Sequence, residues 1–385
     1  MSAHFHSHLC GCKATEWLIF MQVLQVCAYG ADYPGNFIAS LEALEQMLAQ
    51  KGIQTIYAFV GRAELKDWCQ KIQKRTKVYF LPEAKARILP ATYQKFRQIY
   101  QENHIDIVHT HFELYDIPAT LTAPRNVKIF WHLHDPIDLG KGMRKILWKL
   151  QYGIVGKRAQ LLAVSDYYRN IVVGLGFPKN QTHIILNCIN LDRIENCSVA
   201  TDKKYDFLTF GWDFYRKGDD LILQVCDRLE KEGYSFRLLL NGNNQTWKNL
   251  DDYLNGRTPS YLMRGEPVEN VNVLFSESKV FIQASRRETF SYAVCEATYA
   301  GLPTISSDIA GLEWAHELPT VEFFMPESVE SLYQIMKQYL KGKGVTRQAI
   351  NKSRKIICNR YSLGVWVRKV IEAYDSTGLN LESKK

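Results

Sequence analysis

Glu288 and Glu296 stand eight positions apart in Arg286-Arg287-Glu288-Thr289-Phe290-Ser291-Tyr292-Ala293-Val294-Cys295-Glu296-Ala297, ahead of the small-residue stretch Ala300-Gly301-Leu302-Pro303-Thr304-Ile305-Ser306. Read as one helix from Glu288 to Ala300, the segment puts one carboxylate at the helix mouth and the other about two turns inside it. As i,i+8 partners the two acids are about 80° apart in azimuth and ~12 Å in rise. Paired acid/base hydrolysis of a glycosidic bond needs carboxylates either ~5 Å or ~6.5–9.5 Å apart, so the pair fits that chemistry poorly. Between the acids lie the backbone N–H groups of Thr289, Phe290 and Ser291, which a helix start leaves free for an anion. A sugar carried on a diphosphate suits this arrangement: one acid for sugar hydroxyls, the helix start for phosphate, the other acid for ribose.

Other polar residues gather just after apolar strands, where open parallel sheets collect ligands. Tyr29-Gly30-Ala31-Asp32-Tyr33-Pro34-Gly35-Asn36 joins a strand to a helix, and Gly35 lets backbone approach a phosphate. Its spacing is not the Gly-X-Gly-X-X-Gly fingerprint, which disfavours a dinucleotide cofactor. Asp106-Ile107-Val108-His109-Thr110-His111 and Trp131-His132-Leu133-His134-Asp135-Pro136 each place two histidines on one strand face. With no acidic or cysteine set converging on them, structural histidines are favoured over a zinc site, and no metal is expected. Arg216-Lys217 in Phe210-Gly211-Trp212-Asp213-Phe214-Tyr215-Arg216-Lys217-Gly218 puts two cations before a helix, which suits a diphosphate. Leu240-Asn241-Gly242 and Arg264-Gly265-Glu266 are weaker loop signals of the same kind.

The elements that must position these groups alternate. Strands are expected at 21–27, 53–60, 77–81, 105–109, 127–132, 160–164 and 183–186, with a helix over Phe37–Lys51 capped by Asn36. Cys188 to Tyr205 is polar and without period, and reads as a linker. The alternation restarts with strands at 207–210, 236–240, 280–283 and 304–306, helices at 217–232 and 288–300, and a helical tail over 328–340, 346–360 and 363–374. Such alternation predicts parallel sheets covered on both faces. The expected division is a disordered leader over 1–20, a Rossmann-like domain over 21–187, the linker 188–205, a second such domain over 206–362, and a terminal helix and tail over 363–385. The leader's His and Cys alternation, Met1 to Cys12, is better read as a loose segment ahead of a start at Met21 than as a metal site.

A chain of 385 residues with 46% apolar content supports two ordinary cores. It contains no uninterrupted run of 18 apolar residues, so no transmembrane helix is expected. Nine scattered cysteines, with no Cys-X-X-Cys, suit a reducing cytoplasm. The net charge of +8 is confined to residues 1–187, with 22 Lys+Arg against 14 Asp+Glu, whereas residues 188–385 carry 26 of each. No nucleic-acid motif accompanies the excess. Lys141-Gly142-Met143-Arg144-Lys145-Ile146-Leu147-Trp148-Lys149-Leu150, reaching Lys157-Arg158 without an acid, instead suits a helix on an anionic membrane surface.

The Arg286–Ala297 block, with Ser285, Lys217 and His134 at matching order and spacing, resembles the C-terminal signature of retaining glycosyltransferases of the two-Rossmann-domain class, the large family 4 group. The resemblance spans roughly Gln22 to Tyr374. It implies a GT-B fold, in which two doubly wound parallel-sheet domains face a central cleft. It also implies hexosyl transfer from a nucleotide diphosphate sugar to a glycan or lipid-linked acceptor, with retention and without metal or other cofactor. Capsule or exopolysaccharide assembly at the inner face of the plasma membrane is the expected setting. By the same resemblance Glu288 holds donor-sugar hydroxyls, Glu296 the ribose, His134 the sugar and phosphate, and Lys217 the leaving diphosphate. Gly35, Gly242 and the Thr289–Ser291 backbone approach the donor. Asn187-Cys188-Ile189-Asn190 resembles the family's hinge motif Asn-Gly-Val-Asp. The family's first phosphate-binding cation falls at Trp212, so Arg216 is the expected substitute. That departure keeps a non-catalytic accessory relative in view, beside an epimerase of the same architecture and a simple anionic-surface binder.

Overall fold

The computed structural model of the chain describes residues 21–137, 139–140, 142–195 and 203–378. The expected leader, Lys141, part of the expected linker and the last seven residues lie outside the described residues.

Two all-parallel sheets organise the chain. The first contains β1 (Gln22–Cys27), β2 (Gln54–Val60), β3 (Val78–Leu81), β4 (Ile107–His111), β5 (Lys128–Leu133), β6 (Gln160–Ala163) and β7 (Thr182–Ile184), in the order β3-β2-β1-β4-β5-β6-β7. The second contains β8 (Tyr205–Phe210), β9 (Leu238–Asn241), β10 (Leu262–Gly265), β11 (Ser278–Gln283), β12 (Thr304–Ser307) and β13 (Val321–Phe324), in the order β10-β9-β8-β11-β12-β13. Each sheet reverses its winding beside its first strand, between β1 and β4 and between β8 and β11. These switch points are where doubly wound sheets open a ligand crevice. The expected two-domain parallel fold is borne out.

Helices cover both faces for the usual reason. In helix Gly35–Gln50, the buried residues Phe37, Ile38, Leu41, Leu44 and Leu48 fall on one stripe. The last helix, Leu363–Asp375, packs on the first sheet: Trp366, Val367, Val370 and Tyr374 share a core with Val23, Ile107 and Phe130. The chain therefore crosses between domains twice, and the crossings touch where Ile189 N–H donates to the Tyr361 carbonyl at 2.8 Å.

Several local expectations are corrected. The helix expected from Glu288 begins at Tyr292, because Ser291 takes φ +60° and caps it by accepting the Val294 N–H. Glu288 is thus in a loop ahead of the helix, and the azimuth and rise computed for two helical residues do not apply. The helix expected over 217–232 is two, Phe214–Lys217 and Asp219–Lys231, broken at Gly218. Gly218 has φ +74°, and a Cβ there would fall 2.1 Å from the Ala284 carbonyl oxygen. Asn36 does not cap helix Gly35–Gln50, which has no side-chain cap; it lies in the first turn with its amide committed elsewhere.

Candidate active site

The main crevice lies between the sheets and has a volume of about 670 Å³. Of the residues singled out in the sequence, Gly35, His134, Arg216, Lys217, Glu288, Thr289, Ser291 and Glu296 line it. Gly242 does not line it; its backbone is tied to β10 through the Gly265 carbonyl, and Thr246 covers it. Phe290 does not line it either, because its ring is buried against Trp314 at a centroid distance of 4.5 Å. Arg264 pairs with Asp251 on the edge strand and is also outside the lining.

Glu288 is buried and anchored through one oxygen. Lys217 Nζ lies 2.6 Å from Oε1, Ser285 Oγ 2.9 Å, Gln283 Nε2 3.1 Å and Arg216 Nη1 3.4 Å. Oε2 has no hydrogen-bond partner among the described residues. Burial opposes the charge of this carboxylate, but Lys217 and then Arg216 outweigh it and hold the group below its ordinary pKa. Both cations follow β8, whereas Ser285 and Glu288 follow β11, so the cluster assembles at the switch point of the second sheet. Trp212 also lines the crevice, and Arg216 is the cation that accompanies Lys217 there.

The loop from Glu288 to Ser291 is held by its carbonyls. Tyr168 Oη, from the first domain, donates to the Glu288 carbonyl at 3.0 Å, and Trp314 Nε1 donates to the Phe290 carbonyl at 2.7 Å. Gly311 packs so closely that a Cβ would meet the Glu288 carbonyl oxygen at 1.7 Å. The N–H groups of Thr289, Phe290 and Ser291 donate to no protein acceptor among the described residues. Thr289 and Ser291 line the crevice, so a phosphate-sized anion there would meet unpaired backbone donors beside two cations.

Glu296 sits in the opposite electrostatic situation. Burial raises its pKa, while Arg193 and the Asn36 amide partly offset that. Asn36 Nδ2 donates to Oε1 at 2.9 Å and Arg193 Nη1 lies 3.4 Å away. Asn36 Oδ1 in turn accepts the Asn190 N–H at 2.9 Å. Sequence reasoning missed Asn36, Arg193, Tyr168 and Asn187 as site-building residues. Each acts across the domain boundary or the crossing, which no local spacing reports.

His134 ends the run after β5, buried at the crevice wall. Its ring nitrogens face His111 and Asn187, and its carbonyl accepts from Thr289 Oγ1 at 2.6 Å. Burial lowers its pKa to about 4, so the ring is neutral at neutral pH. His109, His111 and His132 offer ring nitrogens within 4.8 Å of one another. Those nitrogens already bond to one another, to His134, to Gln25 or to Tyr374; among these three rings, only His132 Nε2 is buried without a partner.

Comparison with known proteins agrees with this fold. The model described as "Glycosyltransferase Family 4" matches residues 40–193, and "Glycosyl transferases group 1" matches 192–356. A glycosyltransferase from Rickettsia africae superimposes with TM-score 0.76 at 16% identity, covering 94% of this chain and 99% of that one. Anabaena HepE, solved in complex with UDP and glucose, gives TM-score 0.73 at 13% identity over 92% of this chain and 100% of that one. An uncharacterized 41.2 kDa protein of the cps region of Klebsiella pneumoniae is 23% identical over 236 residues, which span 54% of this chain and 62% of that relative.

Proposed function

We propose that this chain, a glycosyltransferase of GT-B architecture, moves a hexosyl group from a nucleotide diphosphate sugar to an acceptor hydroxyl with retention of configuration. The observation that carries the reading is the Glu288–Lys217–Arg216 cluster standing beside the unpaired N–H groups of Thr289 and Ser291 in one crevice. Glu288, fixed through Oε1, keeps Oε2 for donor-sugar hydroxyls. Lys217 and Arg216 neutralise the charge that develops on the leaving diphosphate, which is stabilisation by preplaced charge. The Thr289–Ser291 backbone takes phosphate oxygens, and Glu296 takes the ribose hydroxyls once Asn36 or Arg193 yields its place. His134 supports the donor from the first domain. No metal has a role in this reading, because side-chain cations and backbone donors supply the charge that a metal would.

The UDP and glucose bound to the Anabaena structure support a UDP-sugar as the first donor to test. The cps-region setting of the Klebsiella relative supports surface-polysaccharide assembly, with a glycan or lipid-linked acceptor. No helix among the described residues is long and apolar enough to cross a membrane. The helix Met143–Gly153 instead exposes Met143, Ile146, Leu147 and Leu150 next to Lys145 and Lys149, and we read it as resting on the anionic inner face of the plasma membrane.

Turnover of UDP-, GDP-, ADP- and dTDP-sugars tests the reading. Wild type should release nucleoside diphosphate from one of them. Glu288→Gln and Lys217→Ala should each lower that rate about a hundredfold or more while the protein stays folded. Wild type that binds a nucleotide sugar but never cleaves it would favour a non-catalytic relative, the alternative that Trp212 supports. Wild type that binds none would remove the donor site altogether.

A further inference from the structure

A continuous buried chain of hydrogen bonds joins the crevice to the C-terminal helix. His134 Nε2 lies 3.0 Å from His111 Nδ1, and His111 Nε2 lies 2.9 Å from Gln25 Oε1. Gln25 Nε2 donates to Tyr374 Oη at 3.2 Å, and that hydroxyl lies 2.7 Å from His109 Nδ1. His109 Nε2 lies 3.2 Å from His132 Nδ1. At the crevice end, His134 Nδ1 lies 3.1 Å from Asn187 Oδ1. All seven side chains are buried, and burial keeps the four imidazoles neutral.

A neutral imidazole has one N–H and one bare nitrogen, so such a chain has a direction. With Gln25 Nε2 donating to Tyr374, the phenolic proton goes to His109 Nδ1, and His109 Nε2–H goes to His132. On the other side, Gln25 Oε1 takes His111 Nε2–H, and His111 Nδ1 takes His134 Nε2–H. His134 Nδ1 is then bare, yet the atom facing it is the acceptor Asn187 Oδ1, so this direction also requires the Asn187 amide to be turned over. Turning the Gln25 amide over instead reverses every one of these bonds, makes His134 Nδ1 the donor to Asn187 Oδ1, and leaves the Asn187 amide as it stands. The tautomer of a crevice histidine is therefore tied to a phenol on a helix that crosses over from the other domain.

We propose that Tyr374 is a positioning residue for the transfer reaction: with the C-terminal helix docked, its hydroxyl fixes, through Gln25 and His111, the tautomer and ring orientation of His134. This rests on the transferase reading above. The rival use of the same rings, a zinc ion on His109, His111 and His132, would require His109 and His111 nitrogens that the chain already employs.

The test uses the full chain and two substitutions on one helix. Tyr374→Phe keeps the ring packing and removes the hydroxyl. Val367→Ala trims the same buried face without touching the chain of bonds. Three quantities are measured: kcat and donor KM on the nucleotide sugar that wild type turns over, the ring 15N shifts of His134 without donor, and zinc per chain. Tyr374→Phe should lower kcat about fivefold, the rate equivalent of one net hydrogen bond, and should change the His134 Nδ1 and Nε2 shifts. Val367→Ala should lower the melting temperature and leave kcat and the shifts as in wild type. Unchanged kcat and shifts in Tyr374→Phe would overturn the proposal, as would equal kcat losses in both variants or one zinc per wild-type chain. The 15N shifts need no substrate. If wild type transfers no sugar, the transferase reading fails, and the shifts still decide whether Tyr374 governs His134.

Discussion

Burial alone would neutralise both glutamates of the crevice, yet their pKa values move in opposite directions. Glu288 is held below its ordinary value because Lys217 and Arg216 outweigh desolvation, whereas for Glu296 desolvation prevails over Arg193 and Asn36. Each has an arginine at 3.4 Å, and the difference is the further cation at Glu288, Lys217 at 2.6 Å. One acid is thus a fixed anion before any ligand arrives, and the other is a group whose partners can be exchanged. The same comparison ranks the two cations near Glu288. Arg216 lies 3.4 Å from it against 2.6 Å for Lys217, so the Arg216 contact is the one that yields to a ligand at smaller cost. Arg216→Ala should therefore weaken nucleoside diphosphate binding about tenfold, the effect of a charge-assisted contact of ~1.5 kcal/mol, with little change in melting temperature. Isothermal titration calorimetry with UDP checks this. An unaltered dissociation constant would mean that no cation replaces the one missing at Trp212.

At the scale of elements, helix Met143–Gly153 is unusual for a surface helix. Trp148 faces inward under the Arg87 guanidinium, while Ile146 and Leu147 remain 52% and 58% exposed. Apolar and basic side chains thus share the solvent side, as a bilayer interface requires. Replacing Lys145 and Lys149 by Gln should reduce sedimentation with phosphatidylglycerol vesicles by about thirtyfold, at ~1 kcal/mol per cation. Replacing Ile146 and Leu147 by Ser should reduce it also on vesicles of neutral lipid. Loss of neither would leave the helix a plain solvated face. This helix was legible because its cations carry their own spacing. So were most strands, because a buried parallel strand is a short unbroken apolar run, as in Val23-Leu24-Gln25-Val26-Cys27. The edge strands β10 and β13 escaped notice, since Leu262-Met263-Arg264-Gly265 and Val321-Glu322-Phe323-Phe324 are half solvated and carry charge. Lys217 and His134 could be placed at the crevice because each follows a strand, and Glu288 because it opens the Arg286–Ala297 block. Asn36 could not, since an asparagine at a helix start has the same local appearance whether it caps that helix or reaches a glutamate 260 positions away.

Across the whole molecule, the end of the chain belongs to the fold of its beginning. Trp366 stacks on His132 at 5.9 Å, and Val370 and Tyr374 cover Val23, Ile107 and Phe130, so the first sheet lacks part of its cover until the last helix arrives. The domains also meet directly, through Asn36 on Glu296, Tyr168 on the Glu288 carbonyl and Thr289 on the His134 carbonyl. Those contacts are single hydrogen bonds of about 1 kcal/mol each, easily exchanged for others. The helix docking is of another order, a buried apolar face whose loss leaves a cavity. A change at Trp366 should thus act far from its own domain boundary. Trp366→Ala should destabilise the first domain by about 3–5 kcal/mol. Hydrogen exchange should quicken at the amides of β1, β4 and β5, while β8 and β11 in the second domain keep their protection. Equal acceleration in both sheets would mean that the two domains open as one cooperative unit. Acceleration confined to β8 and β11 would mean that the last helix stabilises the domain that precedes it in the chain.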